Sequence, residues 1–257
     1  MLPLTSIHKN AILDVGVQVE PFTTIYEDVS IGEGSWIGSN VTIFPGTRIG
    51  KNCKIFPGAV IGAIPQDLKF KGEYTQVEIG DNTTIRECVT VHRATKTGKI
   101  TSIGKNCLIM AYAHVGHDSR IGNHVIIANS CSIAGHVIIE DFVVLEGLVA
   151  IQQFVSIGTH AFVAGASLVR KNVPPYVKAA REPLSYIGVN TIGLKRREFP
   201  DADIRHIEDI YRVLFIHNQN VSNGLEQIEE EIESSPYKSA ILSFVKESPK
   251  GIIKGII

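Results

Sequence analysis

An aliphatic residue recurs at every sixth position through most of the chain. Ile7, Leu13, Val19, Ile25, Ile31, Ile37, Ile43, Ile49, Ile55 and Ile61 set the frame, and Ile79, Ile85 and Val91 resume it. It then runs unbroken from Ile103 through Ile109, Val115, Ile121, Ile127, Ile133, Ile139, Leu145, Ile151, Ile157 and Val163 to Val169. Between 7 and 169 only Asp67, Glu73 and Thr97 interrupt it. This period is far from the helical repeat of about 3.6 residues, and six-residue repeats mark a parallel β-helix. Each hexad predicts a short strand with one aliphatic residue turned inward, followed by a corner. Three hexads make a triangular coil, stacked on the next at about 4.8 Å. Gly follows the frame residue at 32, 38, 50, 62, 80, 104, 116, 122 and 158, which fits close packing or unusual dihedrals at the corners.

The frame breaks locate two polar, basic excursions, 64–77 (IPQDLKFKGEYTQV) and 94–100 (ATKTGKI). Loops on a rigid scaffold are where binding groups concentrate. After Val169 the hexads stop, and Pro174-Pro175 marks a break. From Asp201 the pattern turns helical, with Ile204, Ile207, Ile210 and Leu214 on one face, then Leu225, Ile228 and Ile232, and a last helix carrying Ile241, Leu242 and Val245 after Pro236. The chain therefore divides into a β-helix over 1–173 and a small α-helical domain over 174–257.

Composition narrows the function. The chain has 257 residues, 25 Lys+Arg against 26 Asp+Glu, and a formal net charge of −1, which argues against general nucleic-acid binding. Cys53, Cys88, Cys107 and Cys131 form no CxxC pair, which argues against a zinc ribbon or a disulfide framework and fits free thiols in a reducing compartment. No stretch approaches membrane-spanning length, so a cytoplasmic protein is expected.

The period of three hexads also places chemistry. His117, Gly135 and Gln153 are 18 apart and line one edge of the prism, and Asp118 and His136, also 18 apart, lie roughly 5 Å from one another on adjacent coils. With His114 they form a plausible acid/base cluster in which Asp118 orients an imidazole. A competing reading takes His114, His117 and His136 as ligands of a catalytic zinc, as in a hydratase of the carbonic anhydrase type. A third is a structural trimer without catalysis.

The hexads, the IPQDLKF loop, AHVGHD, AGH, QQF, NVPPY and GVNTIGLKRR together resemble the UDP-N-acetylglucosamine 3-O-acyltransferases that begin lipid A synthesis in Gram-negative bacteria. The loop residues Gln66, Asp67, Leu68 and Lys69, with GVN and GLKRR, are the most specific parts of that likeness. The resemblance implies a left-handed β-helix, a homotrimer, UDP-N-acetylglucosamine as acceptor and a (R)-3-hydroxyacyl chain on acyl carrier protein as donor, with no cofactor and no resident metal. His117 is then the general base, Asp118 its partner and the Gly135 N–H the oxyanion donor. Gln66, Asp67, Lys69, His114, His136, Gln152 and Gln153 match positions at the sugar nucleotide or acyl donor. Asn190, Arg196 and Arg197 match positions around the UDP group, where guanidinium suits phosphate oxygens. Gly165 matches the end stop of the acyl groove, which leaves room for long chains, and it lies somewhat under three coils beyond His117. Gln152 stands where the family often has His, and Ile192 where some members have Glu. A prism edge is convex, so enclosing a sugar nucleotide calls for neighbouring prisms.

Overall fold

The computed structural model describes residues 4–218 and 220–255. The hexads form two-residue strands such as Thr24–Ile25, His114–Val115 and Ile126–Ile127. Every third strand pairs in parallel, giving three sheets of nine, eight and ten strands among the described residues. The first sheet includes Thr90–His92, His114–Val115, Ser132–Ile133, Ala150–Ile151 and Leu168–Val169. The second includes Ile100–Ile103, Arg120–Ile121 and Ile138–Ile139, and the third Leu108–Ile109, Val144–Leu145 and Phe162–Val163. The edge between first and second sheets therefore carries 116–119, 134–137 and 152–155. The edge between second and third carries 122–125, 140–143 and 158–161, and the remaining edge carries 128–131, 146–149 and 164–167.

The frame residues from Ile25 to Val169 fill the axis of the prism. Two positions per hexad point inward, rather than the one expected. The second lies two residues before the frame and takes small side chains: Val125, Val137, Val143, Cys53, Cys107 and Cys131 are all buried there. The cysteines are free thiols. Of the two explanations for glycine after the frame residue, the left-handed backbone applies at Gly62, with φ 79°, and close approach elsewhere: a Cβ on Gly104 would lie 2.4 Å from the Gly122 carbonyl oxygen of the next coil. The left-handed backbone sits two residues further on, at Asn106, Asp118, His136 and Phe154, with φ between 56° and 64°.

Both excursions replace corners on the edge between the first and second sheets. The longer connects Val60–Ala63 to Gln76–Ile79, and the shorter connects Thr90–His92 to Ile100–Ile103. Each lengthens one coil, so Thr47 pairs with Val77 and Thr90 with His114.

The expected break at Pro174-Pro175 does not end the sheet. Val177–Ala180 continues the third sheet in parallel with Phe162–Val163, and Ser185–Val189 adds an antiparallel strand. The helical part begins later, with α1 (Thr191–Lys195), α2 (Asp201–Arg212), α3 (Val221–Glu231) and α4 (Pro236–Lys246). Asn190 caps α1, Asn220 caps α3, and Ser235 caps α4 with Pro236 in its first turn. The apolar stripe Ile204, Ile207, Ile210 and Leu214 is buried as expected, and Tyr211 Oη donates to the Pro175 carbonyl at 2.6 Å. Asn172 bridges to Ile252, so the chain's last strand-like segment ties the helices back to the prism.

Candidate active site

His117 occupies the second corner position after frame residue Val115, and Asp118 follows in the left-handed slot. That geometry turns the two side chains together: His117 Nδ1 lies 2.9 Å from Asp118 Oδ2. A carboxylate only accepts, so this bond keeps the proton on Nδ1 and presents Nε2 as the free nitrogen. Asp118 is itself held from the shorter excursion, accepting from Thr95 N at 3.1 Å and from Thr95 Oγ1 at 2.8 Å. Its own N–H donates to Thr101 Oγ1. Burial pushes the Asp118 carboxyl up, but the bonds from His117 and Thr95, with His136 nearby, outweigh it and leave the pKa below the ordinary value.

Gly135 stands one coil above, as the period predicts. A Cβ there would lie 2.4 Å from His117 Cε1 and 2.6 Å from Nε2, so only glycine lets the imidazole sit against the backbone. In several coils a side chain takes up the amide at this corner position: Asp141 accepts from Asn123 N, Glu140 from Thr159 N and Glu146 from Gly165 N. Among the described residues the Gly135 N–H donates to nothing. A free donor beside an imidazole is what a developing oxyanion requires.

Three further imidazoles surround this pair. His136 Nε2 is 3.7 Å from Asp118 Oδ2, and its ring stacks on Phe154 at 4.7 Å. His114 shares a 2.7 Å hydrogen bond with Thr90 through Nδ1. Burial, then the neighbouring His117, depress its pKa. His92, which the sequence reading passed over, lies edge-on to His114 at 4.7 Å.

The corner is not the featureless convex edge expected of a single prism. A groove of about 550 Å³ on the first sheet is lined by Gln66, His114, His117, Gly135, Gln152, Gln153 and Arg170, with the exposed Leu168 side chain among its apolar groups. On the other side, a cleft of about 570 Å³ brings Asp118 and His136 together with Lys96, Lys99 and Arg120. Asp67 and Lys69 sit in the loop beside Gln66, where Asp67 Oδ1 accepts from Lys69 N at 2.9 Å, and neither lines the groove.

Four expected residues lie elsewhere. Asn190 bonds the His160 carbonyl at 2.9 Å and Arg197 stacks over Phe142 at 4.2 Å, which places them, with exposed Arg196 nearby in sequence, beside the edge between second and third sheets. Gly165 lies on the third edge, next to Gly147 and Glu146. His117 and Gly165 face different edges, so Gly165 cannot stop a groove along the His117 edge of its own chain.

The zinc arrangement is also corrected. Among the described residues, the side chains close enough to share an ion are His117, Asp118 and His136, not three imidazoles, and His114 is outside that group with its Nδ1 on Thr90. Asp118 already accepts bonds from His117 and Thr95.

The chain is 42% identical, over 98% of its length and 100% of the relative's, to the acyl-[acyl-carrier-protein]–UDP-N-acetylglucosamine O-acyltransferase of Thermodesulfovibrio yellowstonii. It belongs to the UDP-N-acetylglucosamine O-acyltransferase family. Residues 172–253 match the family description "Udp N-acetylglucosamine O-acyltransferase; Domain 2", and 28–63 and 100–135 match the bacterial transferase hexapeptide repeats. Among solved structures, the UDP-N-acetylglucosamine acyltransferase of Bacteroides fragilis superposes with a TM-score of 0.96 at 43% identity, covering 99% of this chain and 100% of that one. The Francisella novicida enzyme gives 0.94 at 38% identity, covering 98% and 92%. The fold class is thus that of this family, a left-handed parallel β-helix with a small C-terminal helical part.

His92, Thr90, Thr95 and Thr101 were not found from sequence. The 18-residue period fails across the shorter excursion, where the coil holds 24 residues; counting back 24 from His114 and Gly116 reaches Thr90 and His92.

Proposed function

We propose that the protein transfers a (R)-3-hydroxyacyl chain from acyl carrier protein to the 3-hydroxyl of UDP-N-acetylglucosamine, the first step of lipid A synthesis. The observation that carries this reading is the pairing of His117 and Asp118 beneath the unengaged Gly135 N–H, in a chain of this family. His117 Nε2 takes the proton from the sugar hydroxyl as its oxygen attacks the thioester carbonyl. The C–O bond forms, and the carbonyl oxygen gathers negative charge opposite the Gly135 N–H, a contact typically worth about 3 kcal/mol in the transition state. Collapse breaks the C–S bond, and the imidazolium returns its proton to the departing thiolate. Asp118 holds the ring and stabilises its charged form throughout. Neither step calls for a cofactor.

His114, His136, Gln66, Gln152 and Gln153 are proposed to orient the sugar and acyl donor, with Asp67 and Lys69 joining as the loop settles on the ligand. The exposed Leu168 side chain on the groove suits the first methylenes of the chain. Asn190, Arg196 and Arg197 are assigned to the UDP group of a neighbouring copy, and Gly165 to the end of a neighbouring copy's acyl path. Residues placed on three different edges serve one ligand only if copies pack edge to face, which supports a C₃ homotrimer. No helix among the described residues is long and apolar enough to cross a membrane. A cytoplasmic location, where acyl carrier protein is available, completes the reading. Mass spectrometry of UDP-N-acetylglucosamine after incubation with loaded acyl carrier proteins tests it: a mono-acylated product supports the assignment, and none with any 3-hydroxyacyl donor contradicts it.

A further inference from the structure

His92 has no role in the reaction above, yet it is only 7% exposed, and its Nδ1 is buried with no hydrogen-bond partner among the described residues. An unpaired buried polar atom destabilises a fold, so an apolar residue would serve better if packing alone mattered. Thr90 and His92 share the outer face of one strand, with Val91 turned into the core between them. That strand lies beside His114–Val115. Thr90 Oγ1 holds His114 Nδ1 at 2.7 Å, and the His92 ring meets the His114 ring at 4.7 Å and 78°. One strand thus fixes His114 at a nitrogen and at a ring edge. His114 lines the groove and His92 does not.

We propose that His92 is a positioning residue: its ring, with the Thr90 hydroxyl, fixes His114 and shields it from water, so that His114 meets the sugar nucleotide as a neutral imidazole. This rests on the reading of the groove as a UDP-sugar site.

The electrostatics agree. Burial first, then His114 and His117, hold His92 down to about 4, and burial followed by His117 depresses His114. Asp118 is engaged by His117, Thr95 and His136, so its charge is directed away from the other two rings. Arg93, the next residue, points its guanidinium at the Phe70 ring and the Pro45 carbonyl. Two neutral imidazoles leave the proton to His117, the one backed by a carboxylate.

The test compares His92→Asn, which removes the ring and admits water, with His92→Phe, which keeps the ring and removes both nitrogens. His114 is titrated by NMR in the full chain, and kinetics are run with UDP-N-acetylglucosamine and a 3-hydroxyacyl carrier protein. In the wild type and in His92→Phe, His114 is expected to titrate below the ordinary value of about 6.5. In His92→Asn its midpoint rises toward that value, and the acid limb of kcat/KM rises with it. KM for the UDP-sugar rises about tenfold, the upper weight of one hydrogen bond, while kcat changes less than about threefold. His92→Phe keeps the wild-type KM. Unchanged KM and an unchanged His114 midpoint in His92→Asn overturn the proposal, as does a fall in kcat alone. Should His92→Asn not fold, a His114 midpoint at or above about 6.5 in the wild type or His92→Phe contradicts it. The titration needs no substrate, so a wrong substrate assignment shows itself separately, as absent turnover in the wild type.

Discussion

His117 has one ring nitrogen committed to Asp118 and the other against Gly135, so substitutions at the two positions fail differently. His117→Ala removes the base and leaves the coil intact, since the corner backbone keeps its bond from His136 N to His117 O at 2.9 Å. We expect kcat to fall by roughly 10²–10⁴, with the circular dichroism spectrum and melting temperature nearly unchanged. Gly135→Ala puts a methyl group where the imidazole lies, so the ring must turn away and activity should drop comparably although every catalytic side chain remains. Wild-type turnover in either variant would remove His117 from the mechanism. A separate residue carries a pH signature. His160, stacked between Phe142 and Tyr176, is held down to about 4 by burial, with Arg197 adding to it. Its folded pKa is depressed, so the unfolded chain takes the proton first. The neutral ring therefore stabilises the fold above about pH 6.5, and this is lost as pH falls toward 4, up to about 3 kcal/mol. His160→Phe keeps the stack and removes the titration. Its stability relative to wild type, measured by denaturant unfolding, should improve from pH 7 to pH 4.5; a constant difference would show that His160 does not titrate on unfolding.

At the scale of the coil, stability depends on how closely one corner approaches the next. Gly104→Ala would bring a Cβ to 2.4 Å from the Gly122 carbonyl oxygen, whereas a Cβ on Gly147 meets nothing nearer than 3.5 Å. Gly104→Ala should therefore destabilise by about 2–3 kcal/mol, and Gly147→Ala should be close to neutral. Equal melting temperatures would contradict the close-approach account. The frame of aliphatic residues made strands, coils and even the Asp118–His136 contact legible, because a fixed period converts directly into stacking. The second inward position was not legible, since it accepts Val, Ala, Cys, Thr and Ser alike and carries no single hydropathy signal. The excursions hid Thr90, His92 and Thr95, because each insertion changes the coil length and cancels the arithmetic that worked from Ile103 onward. The boundary at Pro174-Pro175 misled for a related reason: prolines can stop a hexad while the sheet continues through Val177–Ala180, whose pairing no repeat announces.

Over the whole molecule, the residues assigned to the proposed site fall on three edges that no single chain can bring together. The same period that placed Asp118 beneath His136 also assigns every corner to an edge, and Gly165 belongs to a different one from His117. If it ends a neighbour's acyl path, Gly165→Met should shift donor preference toward shorter 3-hydroxyacyl chains, each lost methylene contact worth about 0.8 kcal/mol. Mass spectrometry with a series of loaded carriers checks this, and an equal loss with all chain lengths would return Gly165 to a purely structural corner.

The proposed homotrimer is tested most directly by mixing two variants, each expected to be inactive alone. His117→Ala lacks the proposed base, and the double variant Arg196→Ala/Arg197→Ala lacks the cations assigned to the UDP group. After dissociation and reassembly at equal concentration, with mixed trimers verified by native mass spectrometry, some sites combine an intact His117 from one copy with intact arginines from its neighbour. Random assembly around a three-fold axis restores about a quarter of the sites, so activity should return to about a quarter of wild type from two nearly inactive parents. Mixed trimers no more active than their parents would mean that His117 and the arginines do not meet across the interface, and would contradict an active site built between copies.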